Sequence, residues 1–444
     1  MFGWAKLATA AAAVACLVLI WTPRAFSAQA DIEARRNALL QAMISNPGNL
    51  DIAFEYAELS TQVGDYEGAV STLERILIFA PNTPSLQLEL GILYYRMGAY
   101  DVARSYFAQA LANPNTPPQI TNKIKLYLQQ LAVLADPPPF SAVIFSGIRW
   151  ESNANSGPAS QTVTLSGIDF TLDDQAVAQP GWSAVNTAAL HYGFDLKQGD
   201  RIDFDFLTYN ATYFDLTEAN LNFFEATLGP SFNLKRFGIK ASTLSVYGIG
   251  DEVLLENDQY FWAAGGGVRF LSYAAERSVL DFRVETRVRE YTNTRDSPTN
   301  TLRDGAQTRF GGYYTYYLGP GLSLIVQGYA QREDAKVGYY ANWELGASAG
   351  IAWTFASPIA PGRYPWTLQV GAGGIDRSYD DPDPIISATQ TESDQLFWGR
   401  AAVIIPVSDT LAMVPQVEYR NQDSNYEISR FDDFSALVGL QKRF

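Results

Sequence analysis

Apart from its carboxylates and guanidiniums, this chain has few side chains that can do chemistry. Its 444 residues hold 47 Asp plus Glu, 32 Lys plus Arg, one His and one Cys. His191 lies in an alternating stretch, with no second His and no Cys to complete a zinc set. It reads as a wall residue, not a ligand or a base. Cys16 falls inside the apolar N-terminal segment, so the mature chain has no thiol for a disulfide, a metal or a nucleophile. Gly265-Gly266-Gly267 sits within a strand pattern, not at a strand-to-helix turn, which excludes a phosphate loop. It points instead to curvature or a close backbone approach. Asp380-Asp381-Pro382-Asp383 offers oxygens to calcium but lacks the spacing of a defined loop, and reads as solvated outer loop. No catalytic constellation emerges: the expectation is no enzyme, no cofactor and no metal. A net charge of −15 opposes nucleic-acid binding, which needs a basic surface.

What remains is charge at every second residue. Arg201, Asp203 and Asp205 oppose Ile202, Phe204 and Phe206. Asp281, Arg283, Glu285, Arg287 and Arg289 oppose Leu280, Phe282, Val284, Thr286 and Val288. Such rows predict strands with one apolar and one charged face. If the charged faces line a barrel, their mixed signs favour cross-strand ion pairs that fill or narrow the bore. A polyanion channel would be lined by one sign. The expectation is a plugged or client-gated conduit.

The elements carrying these rows begin after residue 141. Fourteen strands are read: 142–153, 182–197, 201–214, 221–234, 239–254, 259–272, 278–292, 305–318, 321–332, 342–355, 365–379, 394–407, 410–422 and 430–444. They exceed the globular mode of 5–6 residues and suit tilted spanning strands. Tight connections follow even-numbered strands, with an exception at Ala356–Tyr364. The longer polar segments, 154–181, 293–304, 333–341 and 380–393, follow odd ones. That asymmetry and an even strand number describe a barrel in outer-membrane lipid with both ends in the periplasm of a Gram-negative bacterium. Aromatics make up 13% of the chain and charged residues only 18%, which fits. Phe434, Ala436, Val438, Leu440 and Phe444 share one face of the last strand. That pattern resembles the signal read by the barrel assembly machinery, an expected partner. Lys442 departs from it near the rim, where a Lys can snorkel.

Two segments precede the barrel. Residues 1–30 read as a signal peptide: Lys6, an apolar run from Leu7 to Trp21, and Ala28-Gln29-Ala30 before Asp31, with Ala25-Phe26-Ser27 as the competing cleavage site. Residues 31–135 read as helix with a 34-residue repeat. Ala57, Gly64, Tyr66, Ala69 and Leu73 recur as Gly91, Gly98, Tyr100, Ala103 and Phe107. Small Ala57 and Gly91 let paired helices approach, Gly64 and Gly98 end the first helix of each pair, and Ala69 and Ala103 pack at the crossing. This resembles a tetratricopeptide (TPR) solenoid, with half a unit at Ile32–Asn46 and a capping helix at Gln119–Leu134. A Pro-rich linker occupies 136–141.

An α + β chain of TPR-like solenoid followed by an outer-membrane barrel resembles the surface lipoprotein assembly modifier (Slam) family. The resemblance spans the mature chain. It includes the first strand, where Gly147-Ile148-Arg149-Trp150-Glu151-Ser152-Asn153-Ala154-Asn155-Ser156-Gly157-Pro158 is similar to the family's opening, with Glu151 where Asp is commoner. Ser152, Asn153, Asn155 and Pro158 carry that motif. The two asparagines are expected to turn the chain, since Asn tolerates unusual φ. The resemblance implies translocation or surface display of client proteins, lipoproteins or secreted proteins. The TPR groove would capture the client and the barrel would act as conduit. The alternative is an exopolysaccharide export porin, though two repeats and mixed-sign rows weigh against it. A passive pore or adhesin with a structural TPR collar is the third class.

Overall fold

The computed structural model describes residues 25–45, 49–97, 99–134, 139–197, 199–239, 241–273, 277–294, 297–319, 321–359 and 364–444. The expected signal segment up to residue 24, Gly98 and linker residues 136–138 lie outside the described residues. The chain divides into two compact units, Met1–Pro137 and Pro138–Phe444.

The first unit has six described helices: α1 (Ala25–Ser45), α2 (Leu50–Gln62), α3 (Tyr66–Phe79), α4 (Pro84–Arg96), α5 (Tyr100–Ala112) and α6 (Pro118–Leu134). Their ends are chemically marked. Asn49 accepts the Asp51 and Ile52 N–H groups, and Asp65 accepts that of Gly68, satisfying donors that a helix start leaves open. Pro84 opens α4, where its missing N–H costs nothing. Gly64, at φ 81°, closes α2, and the Asp65 N–H returns to the Ser60 carbonyl at 2.8 Å. α1 starts at Ala25, before the expected Asp31 and before the half-unit placed at Ile32–Asn46, so the helical pattern runs through Ala28-Gln29-Ala30.

The repeat positions land in the packing. Ala57, Ala69 and Ala103 are buried. A Cβ at Gly91 would strike the Phe107 ring, so glycine is what allows α4 and α5 to close over it. Phe107 is fully buried with Ile124 and Leu131 of α6. Its burial contributes on the order of 3 kcal/mol. Arg96 lies over the Tyr66 ring and Tyr100 against Tyr95. Tyr94 and Tyr106 stack at 5.5 Å, and both hydroxyls donate to Glu74, at 2.7 and 3.0 Å. Burial, and then the Glu74 carboxylate, push both phenols up to about 12.

The second unit is a closed antiparallel barrel of fourteen strands. They are β1 (Phe140–Glu151), β4 (Gly181–Lys197), β5 (Asp200–Tyr213), β6 (Leu221–Asn233), β7 (Ser242–Leu255), β8 (Asp258–Ser272) and β9 (Ser278–Tyr291). β10 (Gly305–Gly319), β11 (Leu322–Glu333), β12 (Asn342–Phe355), β13 (Trp366–Tyr379), β14 (Ser393–Pro406), β15 (Leu411–Ser424) and β16 (Phe431–Arg443) complete it. Each strand pairs with its neighbour in the chain. β1 closes the ring on β16, from Val143 opposite Arg443 to Glu151 opposite Ser435. Both ends of the barrel chain therefore lie at the same rim. β1 begins inside the segment read as linker, because Phe140 and Ser141 pair with Tyr192 and His191.

Outward rows are apolar: Leu280, Phe282 and Val288 on β9; Phe434, Val438 and Leu440 on β16. Exposed Trp182, Trp262 and Trp343 mark the rim away from the termini, and Phe140, Phe194, Trp353 and Phe444 the other. An apolar band between two aromatic girdles is the surface a bilayer solvates, and ring closure leaves no unpaired strand edge in it.

Two departures concern the connections. Between β7 and β8 the chain turns on Glu256 and Asn257, at φ 54° and 72°. That two-residue reversal sits on the rim otherwise carrying longer loops. Within 154–181, read as polar loop, β2 (Thr162–Leu165) and β3 (Ile168–Thr171) form a separate hairpin. Its Val163 is buried, the Thr164 N–H donates to Glu427 at 3.0 Å, and the Ser166 N–H donates to the Ile386 carbonyl at 2.7 Å. The hairpin is thus fastened to the loops that follow β13 and β15.

Candidate functional site

The period-2 rows set the lumen. Arg287 of β9 is its most committed cation. It contacts Glu225 of β6 at 3.0 Å, Glu285 at 2.9 Å and Asp251 of β7. Asp281 receives Arg269 at 2.7 Å and Arg283 at 3.0 Å. Arg289 reaches Glu333 of β11 at 3.1 Å, and Arg377 of β13 reaches Glu344 of β12 at 2.6 Å. Arg201 holds Asp203 at 3.2 Å. His191 Nδ1 lies 2.8 Å from Asp205, with Nε2 3.9 Å from Asp203. Tyrosine hydroxyls complete the pairing: Tyr247 donates to Glu285 and Tyr329 to Glu344, each at 2.7 Å.

The expected filling of the bore does not follow from this pairing. The described pairs lie within one strand or join strands one to three positions apart, and run along the wall. They leave a cavity of about 740 Å³, lined among others by Gln307, Tyr313, Gln327 and Glu344.

Glycines let two of these wall contacts form. A Cβ on Gly265 would collide with the Thr286 carbonyl and the Arg287 backbone, which is the close strand approach anticipated for the triple glycine. One on Gly267 would stand 2.6 Å from the Tyr247 ring, the ring that delivers its hydroxyl to Glu285.

The first-strand motif sits at the barrel seam. Asp433, fully buried on β16, accepts from the Asn153 N–H at 3.0 Å, Ser152 Oγ at 3.2 Å and Arg420 at 2.9 Å. Ser152 Oγ in turn accepts the Phe434 N–H at 2.8 Å. The Asn153 side chain donates to the Asp432 and Gly157 carbonyls and accepts the Gly157 N–H. Asn155 donates to the Val177 carbonyl at 2.8 Å and accepts the Gln179 N–H at 3.0 Å. The Pro158 carbonyl accepts from Ala178. Neither asparagine has positive φ; the left-handed residue is Ser156, at φ 51°. The expectation that the asparagines turn the chain through their own backbones is therefore corrected. They do it with side-chain amides that substitute for backbone partners across the loop.

Beneath that seam lies a network the sequence did not single out. Glu151, 3% exposed, receives Tyr213 Oη at 2.6 Å, Arg149 at 3.0 Å and Arg420 at 3.5 Å. Arg149 also donates to the Tyr209 and Tyr213 hydroxyls, each at 3.0 Å. The available signal was a Glu on the inward row of β1 and an Asp-Asp pair interrupting the alternation of β16. On the last strand, Phe434, Val438, Leu440 and Phe444 face outward, and Ala436 lies in their row. Phe434 packs against Trp150. Lys442 donates to Thr410 at 2.6 Å. Asp380 is taken up by Arg332, at 2.6 and 2.8 Å. Among the described residues no group of His, Cys, Asp or Glu is arranged to hold a metal.

No protein-family model matches the chain, and no curated protein matches it either. Solved structures do. A Pseudomonas aeruginosa FadL homologue is 8% identical with a TM-score of 0.38, covering 70% of this chain and 92% of its own. The outer membrane channel DcaP of Acinetobacter baumannii is 10% identical with a TM-score of 0.36, covering 70% and 99%. A bacterial polysaccharide outer membrane secretin is 9% identical with a TM-score of 0.33, covering 70% and 100%.

Proposed function

We propose that this protein is an outer-membrane conduit that moves or displays client proteins, with its helical unit, a TPR-like solenoid in the periplasm, capturing them. The observation that supports this reading is the joining, in one chain, of a bilayer-compatible fourteen-strand barrel and a helical unit built on a 34-residue repeat. Both ends of the barrel chain share the rim with the mostly shorter turns, the rim assigned here to the periplasm. Helical repeats of this kind usually bind a partner along a concave face. Barrel insertion calls on the assembly machinery through the last-strand row ending at Phe444.

The test deletes residues 31–135 while keeping the barrel, with insertion verified by a heat-dependent gel shift. Surface shaving and mass spectrometry then compare mutant and parent cells. At least one surface protein should be lost from the shaved fraction and retained in the periplasm. An unchanged surface inventory with an inserted barrel refutes the proposal. One observation favours a second reading, export of a polysaccharide: the amides of Gln307, Gln327, Gln331 and Asn342 line the lumen cavity together. Accumulation of periplasmic glycan in the same mutant would select it.

A further inference from the structure

Two guanidiniums that line the lumen cavity have no carboxylate partner within 4.0 Å among the described residues. Arg309 of β10 lies with Cζ 3.9 Å from the centre of the Tyr329 ring. Arg303, in the loop before β10, lies with Cζ 3.8 Å from that of Tyr340. The cavity's other arginines are engaged: Arg283 by Asp281, Arg287 by three acids, Arg289 by Glu333 and Arg377 by Glu344. The acids that line it are equally engaged. Glu285 stands directly opposite Arg309 in the β9–β10 register, yet it turns to Arg287 and Tyr247.

A guanidinium over an aromatic face is held in place but not neutralised. Its N–H fork remains available, and that fork matches an oxyanion in a bidentate arrangement. Arg303 Nε is, in addition, a buried donor with no hydrogen-bond partner, an arrangement native proteins rarely leave unmet. The cavity's volume, about 740 Å³, is that of a small-molecule site.

We propose that the lumen cavity binds a small oxyanion, carboxylate or phosphate, received by Arg303 at the loop-side mouth and by Arg309 within the bore. The two lie at most about 20 Å apart along the chain at strand rise. An anion can therefore pass from one to the other within the cavity. Lumen geometry alone defines this site, whichever cargo the helical unit captures.

The test uses the wild-type full-length protein in detergent. Phenylglyoxal modifies arginines, and mass spectrometry follows each site with citrate, inorganic phosphate or sucrose present. Citrate or phosphate should slow modification of Arg303 and Arg309 at least about tenfold, identifying the anion class. Sucrose should not, and Arg35 on the helical unit, 62% exposed, should react equally throughout. Unchanged rates at Arg303 and Arg309, or slowing that Arg35 shares, overturn the proposal. By calorimetry, Arg303→Gln and Arg309→Gln should each weaken binding of the protecting anion at least about tenfold. Arg236→Gln, at a turn on the opposite rim, should leave it unchanged. Equal affinity in all three variants also overturns the proposal.

Discussion

Asp433 should be the residue whose loss most weakens the β1–β16 seam. Its carboxylate is fully buried and serves the Asn153 N–H, Ser152 Oγ and Arg420. Asp433→Ala leaves a buried backbone donor unmet, at about 1–3 kcal/mol, and strips Arg420 of its nearest counter-charge. Breaking a buried pair from one side costs about 3–5 kcal/mol. Two features reduce this. Arg420 keeps Glu151 at 3.5 Å and Glu418 at 3.9 Å, and two buried carboxylates no longer repel across one guanidinium. A net loss of about 3 kcal/mol results. Asp433→Asn retains an acceptor for Ser152 and Asn153 and should cost about half as much. Asp432→Ala removes an exposed side chain but keeps the carbonyl that Asn153 uses, so it should stay within about 0.5 kcal/mol. Urea unfolding in lipid vesicles, followed by tryptophan emission and extrapolated linearly, reads all three. The reasoning is refuted if Asp433→Ala lies within about 1 kcal/mol of the parent, or if Asp432→Ala loses as much.

Three further outcomes follow from the packing and charge described above. Arg287→Met leaves Glu225, Asp251 and Glu285 facing one another without a cation and should cost about 3–5 kcal/mol; adding Glu225→Gln, Asp251→Asn and Glu285→Gln should restore most of it in the same unfolding assay. Gly91→Leu drives a side chain into the Phe107 ring and should lower helical-unit stability by about 1–3 kcal/mol, seen as earlier loss of ellipticity at 222 nm. Tyr94 and Tyr106 titrate near 12 when folded and near 10 when unfolded. Between those values the folded state holds protons that the unfolded state has released, so stability present below pH 10 falls as pH rises toward 12. Glu74→Gln should shrink that loss, and an unchanged pH profile in the variant would contradict it.

Most of the barrel was legible because strand alternation is a local property with a lipid-imposed sign. Leu280 to Val288 must face the bilayer whatever their neighbours do, so the charged row between them must face in. The β2–β3 hairpin escaped notice because four-residue strands carry too few alternations to register. Its stability also comes from partners, Glu427 and Ile386, more than two hundred residues away. The seam network escaped for a related reason. Asp433 is ordinary beside Asp432 in sequence, and only ring closure brings it to Ser152 and Asn153. Arg309 could have been found, since Gln307 and Arg309 alternate with Thr308 and Phe310. What the sequence does not carry is that Glu285 turns away from it.

That last point alters how the lumen should be regarded. A count of charges suggests a neutral, self-paired interior. The geometry instead segregates it. Arg287 gathers three carboxylates on β6, β7 and β9, an excess of negative charge held rigidly in the wall. Arg309 and Arg303, with tyrosine faces for neighbours, leave positive charge toward the cavity on the β10 side. Moving Arg287 out of its cluster would expose three carboxylates at once, so that part of the wall is poorly suited to act as a gate. The two tyrosine-backed arginines can exchange a partner while remaining stacked on their rings. On the anion-site proposal above, selectivity would fall to Arg303, Arg309 and the loops above them, while the ion-pair clusters hold the shape of the wall.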